Sequence, residues 1–575
     1  MNILLIYPPF GETDLAHLAL PLLIGHLRSK GHKVSFLDAN LEFYLSLLTS
    51  EQIEFGRETA VERFSLLKNK RNLTSAQKLE LSRFKKILSD LEKIPPEWRG
   101  DNNGDWDEVL YDHSKVNNWL DSTKRSTSIE TARSLASTPY YPEMFLFSGQ
   151  SVIYNSPYKN WSIKDILESV DSKGMLEGFF ENILPPILER DKPSIIGISV
   201  SFDSNVQPAF RCASVIKKIA PHVHVVFGGS WISTVLPDLK DTRFFNLVDS
   251  FVIDEGEIPM EKLAQKLSSP NPDLSKVPGL MYMKDGKVQK NPPPPKCSME
   301  SFPPPDYTLH PFDKHFMPKD YIMLSLRTSK GCYWRKCAFC PSHQYVIANH
   351  EQASAEYSYF VLKTVMEQTG MHNIGFVEEA SMPEVLEDLS KKIIDSKLYL
   401  NWATNIKLLP DITLERCITY KLSGCFRLNF GLETYNDRLL TLLKKGITKK
   451  TIDFALSNIS WSGITNLAYM MVGLPTETEE EALKTFNAVY KMQERKLLSQ
   501  YNYSAYELLP DSDIFDNPEK YGLRFIPSKN NNHDLPNRQY DYSGAPISFD
   551  KAFELAKKFN STPSRAYKKN IKDPV

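Results

Sequence analysis

The chain has 575 residues, 41% of them hydrophobic, and its 69 Lys and Arg nearly balance its 70 Asp and Glu, for a formal net charge of −1. Near-neutrality gives no electrostatic basis for binding nucleic acid or an anionic membrane. No apolar run reaches the roughly 18–20 residues that cross a bilayer, and MNILLIYPPF lacks the basic segment of a signal peptide. We therefore expect a cytoplasmic protein with neither nucleic acid nor membrane as partner. In that reducing compartment, the clustering of three of the seven cysteines favours metal binding over disulfides.

The N-terminal half alternates short apolar strands with helices, starting with a βαβ unit in the first 40 residues. Strands are predicted at 2–7, 33–37, 194–200, 223–229 and 251–257. Strands this apolar suit a parallel sheet covered on both faces. We predict a doubly wound, Rossmann-like α/β domain over residues 1–267, with an insertion at about 45–185.

A proline-rich segment follows at 268–321, with four consecutive prolines at 292–295, and it predicts a stiff linker. Beyond it, six strand candidates alternate with helices, at 322–329, 373–380, 399–406, 426–434, 464–475 and 501–510. Six βα units in series predict a partial (β/α)6 TIM-like barrel over 322–515, followed by a C-terminal extension, 516–575. In such a barrel the chemistry lies at the carboxyl ends of the strands.

The segment TSKGCYWRKCAFCPSH places Cys332, Cys337 and Cys340 in a C-x4-C-x2-C pattern just after the first barrel strand. Three thiolates can hold a [4Fe–4S] cluster and leave one iron open to chelate a cofactor with adjacent amino and carboxylate groups. Two alternatives remain: a zinc site completed by His343, and three ordinary buried cysteines.

From about 322 to 510 the chain resembles the radical S-adenosylmethionine (radical SAM) superfamily. The resemblance rests on the cysteine triad and on four further segments: VEE at 377–379, GLET at 431–434, KKGIT at 444–448 and VGLPTET at 472–478. The usual triad is C-x3-C-x2-C, so this chain has one extra residue in the first gap. The resemblance implies that Cys332, Cys337 and Cys340 ligate the cluster and that S-adenosylmethionine chelates the open iron. It also implies an external electron donor, such as flavodoxin or ferredoxin, and a 5′-deoxyadenosyl radical.

The same resemblance implies cofactor contacts near the strand ends. Phe339 would lie against the adenine, Glu433 would bind amino or ribose groups, and Gly473 and Pro475 would border the adenine pocket. Glu433 could instead be a plain strand-end carboxylate, and the two turn residues could form only a strand-to-helix turn. Three weaker candidates also lie at strand ends: Glu378, Glu379 and Asn405.

The order of the two halves resembles the radical SAM enzymes that carry an N-terminal cobalamin-binding domain. The residues that carry this resemblance are NILLIYPPF, 31–39, 193–204, 225–233, 251–263 and the linker text VPGLMYMKDGKVQKNPPPP. Because doubly wound sheets bind cofactors at the carboxyl ends of their strands, it implies cobalamin contacts at Ser201, Gly228, Gly229 and Glu255. The alternative is that these glycines only make turns. The Asp-x-His-x-x-Gly signature that ligates cobalt is absent, so the resemblance names no protein ligand for the metal.

The leading hypothesis is a cobalamin-dependent methyltransferase acting on an unactivated carbon of a natural product or peptide. Such a carbon has no acidic proton for a general base, so a radical is needed. One alternative is a cyclisation, rearrangement or oxidation within the same class. Another is a non-catalytic metal- or cobalamin-binding protein on a degenerate scaffold. Neither the insertion nor the residues past 515 hold a second cysteine cluster, which disfavours auxiliary clusters.

Overall fold

A computed structural model describes residues 1–11, 15–99, 106–116, 119–148, 151–341, 350–525, 535 and 542–562. The chain divides into two compact units. The first holds Met1–Lys296, Pro305–Ile322 and His533–Pro536, and the second holds Cys297–Pro304, Met323–Asn532 and Asn537–Val575. No described helix is both long enough and apolar enough to cross a membrane.

The described strands of three residues or more in the first unit are β1 (Asn2–Tyr7), β2 (Lys33–Asp38), β3 (Met144–Ser148), β4 (Ser151–Asn155), β5 (Ile195–Ser199), β6 (His224–Gly228), β7 (Ser250–Val252), β8 (Leu280–Lys284) and β9 (Lys287–Lys290). Its helices of six residues or more are α1 (Ala19–Ser29), α2 (Ala39–Leu47), α3 (Ser50–Lys68), α4 (Ser75–Lys93), α5 (Trp106–Tyr111), α6 (Trp119–Ala136), α7 (Ile163–Ser169), α8 (Phe179–Asp191), α9 (Val206–Ile219), α10 (Ser230–Val235) and α11 (Glu257–Leu267).

Five strands of the first unit form a parallel sheet in the order β2-β1-β5-β6-β7. This is the flavodoxin-like order of doubly wound folds, so the predicted Rossmann-like sheet is confirmed. The strands are apolar because both faces are covered. On one face, Ile3 and Leu5 of β1 pack with Ile24 of α1 and Leu263 of α11. The carboxyl ends of these strands therefore form one edge, where such sheets bind ligands.

The end of the sheet corrects the prediction of a linker over 268–321. β8 and β9 continue the sheet as an antiparallel hairpin after β7. The hairpin turns at Asp285 and Gly286, whose φ angles of 51° and 73° match the two-residue turn that Asp-Gly favours. Leu280, Met281 and Tyr282 are buried, so their apolar run adds to the core. The first unit thus extends past 267 to Lys296.

The predicted insertion contains mostly helices, with β3 and β4 paired as a hairpin. It packs against the carboxyl end of β1 through an aromatic cluster. The ring of Phe10 lies 5.0 Å from Phe43 and 4.9 Å from Phe145. The described part of the insertion therefore shares the core of the first unit.

The second unit contains the strands β10 (Met323–Leu326), β11 (Asn373–Phe376), β12 (Asn401–Asn405), β13 (Cys425–Glu433), β14 (Thr465–Val472) and β15 (Gln500–Ala505). Its α-helices in the described residues are α12 (Ala355–Thr369), α13 (Pro383–Asp395), α14 (Leu414–Leu422), α15 (Asp437–Leu442), α16 (Lys449–Trp461), α17 (Glu479–Glu494), α18 (Asp513–Asp516) and α19 (Phe549–Asn560). In the described residues these six strands are parallel and lie side by side in chain order. The predicted partial (β/α)6 barrel is confirmed, and the carboxyl ends of its strands form one rim.

Candidate functional site

The three cysteines of the motif lie on the loop that follows β10, at this rim. All three are half-buried free thiols. Burial, followed by the nearby thiols of Cys337 and Cys332, raises the pKa of Cys340 to about 12. The three thiols are thus close enough to interact electrostatically.

The cysteine loop offers three described thiols, whereas a structural zinc site is normally closed by four ligands. Three thiolates can hold a [4Fe–4S] cluster and leave one iron open, so the donor set fits a cluster. His343, the fourth ligand in the zinc alternative, lies outside the described residues.

The cysteine loop is fastened to the segment between α15 and α16. Ala338 donates its N–H to the carbonyl of Leu443 at 2.8 Å, and Trp334 Nε1 donates to the carbonyl of Lys444 at 3.1 Å. Gly446 has a φ of 68°, and a Cβ there would lie 2.0 Å from the Trp334 ring. The KKGIT segment thus supports the loop, and only glycine allows the approach of the indole.

The extra residue in the first gap of the motif belongs to a turn in this loop. Arg335, between Cys332 and Cys337, has a φ of 49°, in the left-handed region. Such a conformation is uncommon for a residue with a side chain. Beyond it, the N–H of Cys340 donates to the carbonyl of Cys337 at 3.2 Å. The longer gap is therefore accommodated locally.

Glu433 lies at the end of β13 and forms an ion pair with Lys445, whose Nζ is 2.7 Å from its Oε1. The same ammonium lies 5.4 Å from the centre of the Phe339 ring. Burial lowers the pKa of Lys445, but the Glu433 carboxylate and the Cys337 and Cys340 thiols together raise that pKa above its usual value. A Cβ on Gly431 would lie 2.0 Å from Glu433 Oε1, so the carboxylate folds back over its own strand. The structure therefore brings Phe339 and Glu433 together around Lys445.

A second lysine, Lys407, lies beside the same loop. Its Nζ is 4.3 Å from the centre of the Trp334 ring and donates to the carbonyl of Lys445. Burial, followed by the charge of Lys445, lowers the pKa of Lys407 to about 8. Burial raises the pKa of the Cys337 thiol, while the charges of Lys445 and Lys407 oppose that rise. Sequence reasoning assigned no role to either lysine, although Lys445 belongs to the KKGIT segment that it singled out.

The weaker strand-end candidates have different surroundings. Glu378 is buried and accepts hydrogen bonds from the N–H and hydroxyl of Thr328, at 2.8 and 2.5 Å. Burial raises its pKa to about 6. Asn405 donates to the carbonyl of Glu378 at 2.8 Å. Glu379 is exposed. These hydrogen bonds join the end of β11 to the loop after β10 and to the end of β12, so Glu378 and Asn405 have structural contacts.

The turn that contains Gly473 and Pro475 is stabilised by hydrogen bonds within its own segment. The amides of Gly473 and Leu474 donate to Glu477 Oε2 at 2.8 and 3.1 Å. A Cβ on Gly473 would lie 2.6 Å from the Cβ of Ala552. These contacts favour the plain strand-to-helix turn, and a border with the adenine pocket stays a prediction.

The candidates in the first unit lie at the carboxyl edge of its sheet. Gly229 has a φ of 110°, and a Cβ there would lie 2.4 Å from the carbonyl oxygen of Val200. Ser230 donates its hydroxyl to the carbonyl of Ser201 at 2.6 Å. These contacts join the loops after β5 and β6, and they account for Gly229 without a ligand. Contacts of cobalamin with Ser201, Gly228, Gly229 and Glu255 stay predictions.

A sequence profile of the Radical SAM superfamily matches residues 326–489, from the end of β10 into α17. This match is confined to the segment that forms most of the second unit's barrel. The matched segment includes the three cysteines, Phe339, Glu433 and both lysines. Radical SAM domains belong to enzymes that use S-adenosylmethionine and a [4Fe–4S] cluster, so the predicted enzyme class and these two cofactors are confirmed at the level of the family.

Sequence similarity to curated proteins covers more of the chain than residues 326–489. The uncharacterized methyltransferase PH0819 of Pyrococcus horikoshii is 28% identical over 325 residues, which are 56% of this chain and 69% of that protein. The anaerobic magnesium-protoporphyrin IX monomethyl ester cyclase of Rubrivivax gelatinosus is 23% identical over 339 residues, 56% of this chain and 58% of that protein. The alignments thus leave about a third or more of each relative unmatched.

Two solved structures share the fold. The radical S-adenosylmethionine methyltransferase TsrM from Kitasatospora setae, with cobalamin and a [4Fe–4S] cluster bound, aligns with a TM-score of 0.53 at 14% identity. That alignment covers 92% of this chain and 81% of TsrM. The cobalamin-dependent radical enzyme OxsB, with aqua-cobalamin bound, aligns with a TM-score of 0.52 at 16% identity, over 66% of this chain and 59% of OxsB. At these identities the likeness establishes the fold, including a doubly wound sheet before a radical SAM barrel.

Proposed function

We propose that this chain is a cobalamin-dependent radical SAM methyltransferase that transfers a methyl group to an unactivated carbon of a small molecule or peptide. The observation that carries the proposal is the fold likeness to TsrM, which runs over 92% of the chain and so includes both units. A doubly wound sheet or a partial barrel alone hosts many functions. Their succession in one chain, with the cysteine triad on the barrel, is more specific. The methyltransferase name of the Pyrococcus relative points the same way.

Cys332, Cys337 and Cys340 would hold the cluster by three irons. The bound cluster and S-adenosylmethionine supply radical chemistry, and cobalamin supplies the methyl group. Lys407 and Lys445 place positive charge beside the thiolates, which offsets the charge that three cysteinates bring into a half-buried loop. Phe339 and Glu433 offer an aromatic face and a carboxylate next to that charge. The electron would come from an external donor such as flavodoxin or ferredoxin.

The carboxyl edge of the first sheet would hold cobalamin. Ser201, Gly228, Gly229 and Glu255 lie on the loops at this edge. Phe202, also on the loop after β5, is 51% exposed, which is unusual for a large aromatic side chain. An exposed ring beside small residues suits the broad apolar face of a corrin. The fold likeness to TsrM and OxsB, both solved with cobalamin, supports this assignment.

Anaerobic reconstitution of the full chain with iron, sulfide and hydroxocobalamin tests the proposal. With a strong reductant and S-adenosylmethionine, we expect both 5′-deoxyadenosine and S-adenosylhomocysteine by mass spectrometry, the latter only when cobalamin is present. Cys332→Ala, Cys337→Ala and Cys340→Ala should each abolish 5′-deoxyadenosine. Cys297→Ala, which removes another half-buried thiol of the second unit, should not. Full cluster loading with neither product would instead support the non-catalytic alternative.

A second function rests on the names of other relatives. The cyclase of Rubrivivax gelatinosus and the 4′-phospho-dehydrooxetanocin synthase of Priestia megaterium, 24% identical over 332 residues, are not named as methyltransferases. The second alignment covers 43% of the synthase. This chain would then catalyse a radical cyclisation, rearrangement or oxidation. Formation of 5′-deoxyadenosine without cobalamin-dependent S-adenosylhomocysteine would favour this function over methyl transfer.

A further inference from the structure

The first unit contains a group of metal-binding side chains that the proposed function does not use. Asp38, His310 and His315 each offer one ligand atom, and these atoms lie within 4.8 Å of one another. We propose that these three residues bind one divalent transition-metal ion, with zinc preferred. Two imidazoles and one carboxylate form a donor set that suits zinc, and several other first-row metals bind such sites more weakly.

The two imidazoles already have nearly the separation that a shared ion requires. His310 Nε2 lies 3.0 Å from His315 Nε2. Tetrahedral zinc with Zn–N distances of about 2.0–2.1 Å sets its nitrogens about 3.3–3.4 Å apart. An outward shift of a few tenths of an ångström by the rings would therefore admit the ion. Without an ion, the same distance is a hydrogen bond between the two rings, and this is the alternative that the experiment must exclude.

Asp38 is placed to donate the third ligand. It lies at the carboxyl end of β2, and its Oδ1 accepts the N–H of Leu41 at 2.8 Å to cap α2. This hydrogen bond fixes the orientation of the carboxylate while the second oxygen can coordinate. A ligand whose other atom is hydrogen-bonded to the protein is the common arrangement in metal sites.

The buried carboxylate of Asp38 favours the binding of a cation at this group. Asp38 is 8% exposed, and no Lys or Arg forms an ion pair with it in the part of the chain that the structure describes. Because an unpaired buried carboxylate is costly, a divalent ion would supply the missing positive charge.

A third histidine lies near this group. His17 is close enough to His310 for their imidazoles to interact electrostatically. The Nε2 of His17 is itself buried and has no hydrogen-bond partner in the described part of the chain. A third imidazole close enough to act on His310 thus adds donor capacity beside the group.

The site would fasten two distant parts of the first unit to each other. Asp38 belongs to an edge strand of the sheet, whereas His310 and His315 belong to the segment that re-enters the unit after residue 304. The segment is also attached by Arg28, whose Nη1 lies 2.6 Å from Asp306 Oδ2. A metal ion that bridges residues so far apart in sequence stabilises the folded state through its binding free energy.

Cobalt(II) is the probe for the test, because it takes the place of zinc and absorbs visible light. The cluster-free full chain, with Cys332, Cys337 and Cys340 replaced by alanine, should bind one equivalent and unfold at a higher temperature once loaded. His310→Gln and His315→Gln should each weaken binding by about tenfold or more, with Asp38→Asn also weaker. His222→Ala, which removes an exposed histidine of the same unit, should leave binding unchanged.

A second measurement avoids the cysteine variants. The wild-type chain, reconstituted with iron and sulfide, should retain about one zinc per chain, and the histidine variants should lose zinc while keeping their iron. Failure to bind cobalt at one equivalent overturns the proposal, as does binding that survives in both histidine variants. The hydrogen-bonded histidine pair would then be the whole function of the group. Because the readout is metal content and not turnover, it does not depend on the proposed methyl transfer.

Discussion

Lys445 and Glu433 form a nearly buried ion pair, with Nζ and Oε1 2.7 Å apart and side chains 12% and 9% exposed. The pair joins the end of β13 to the segment that supports the cysteine loop. Because Lys445 also lies over Phe339, its position connects three parts of the candidate site. Its partner is therefore expected to matter for both stability and cofactor binding.

Glu433→Gln should destabilise the second unit, because it leaves the Lys445 ammonium buried without a counter-charge. Breaking a buried pair from one side costs about 3–5 kcal/mol. The thermal midpoint of the apo chain should fall by about 5 °C or more. Adding Lys445→Met should restore much of the loss, which a double-mutant cycle would measure. Glu379→Gln, at an exposed strand-end carboxylate, is the control, and an equal fall there would contradict the role of the pair.

Gly446→Ala should impair cluster loading. Its backbone has a φ of 68°, and the new Cβ would meet the Trp334 ring at 2.0 Å. Gly463 has a φ of 76°, and a Cβ there would have no neighbouring atom within 4 Å, so Gly463→Ala has the same backbone cost of about 1–2 kcal/mol without the clash. After reconstitution, iron content should fall several-fold in Gly446→Ala and stay normal in Gly463→Ala. Equal iron in both variants would show that the indole contact does not position the loop.

Glu477→Gln should change how stability depends on pH. Burial raises the pKa of Glu477 to about 7, from an ordinary value near 4.5, despite hydrogen bonds from the Leu474 and Gly473 amides. The folded state therefore holds the proton more tightly than the unfolded state, and stability is lost as pH rises from about 4.5 to 7. The glutamine variant should gain relative to wild type across that range, by about 1–3 kcal/mol at pH 8. Thermal midpoints measured from pH 5 to 8 test this, and a difference that does not vary with pH would refute it.

Lys407→Met should make the cluster harder to reduce. Its ammonium acts on Cys337, and a nearby positive charge favours the more negative, reduced cluster. We expect a more negative midpoint potential in a redox titration followed by electron paramagnetic resonance. Lys449→Met is a suitable control, because Lys449 also lies over an aromatic ring, that of Tyr435, at 5.3 Å. A midpoint potential equal to that of wild type would show that the charge of Lys407 does not affect reduction of the cluster.

The sequence predicted the fold well where the signal was local. Buried parallel strands are apolar throughout, so β1, β5 and the barrel strands were recognisable in isolation. The cysteine loop was recognisable because its three cysteines lie within nine residues. The hairpin of β8 and β9 was missed although Asp285-Gly286 is a strong turn signal, because the prolines around it dominated the interpretation.

The parts of the site that were missed depend on contacts between distant residues. Lys407 and Lys445 reach the cysteine loop from different βα units, and no spacing along the chain reveals such a meeting. Asp38 is separated from His310 by most of the first unit. Glu477, within a segment chosen for its likeness to the superfamily, was not assigned its role in holding the turn. Sequence motifs were enough to locate the loops. Which side chains contact one another depends on tertiary packing, which the motifs do not reveal.

The position of β1 affects how the chain acquires its structure during translation. Ile3 lies beside Val34 on one side and beside Ile195 on the other. The interior strand β1 therefore pairs with β2, which is synthesised soon after it, and with β5, which is synthesised about 190 residues later. The first pairing can form almost at once, but the second must wait until β5 has emerged. During that delay one edge of an apolar strand has no partner, which is the condition under which nascent chains aggregate or recruit chaperones. Yield in a heterologous host should therefore respond to slower synthesis and lower temperature.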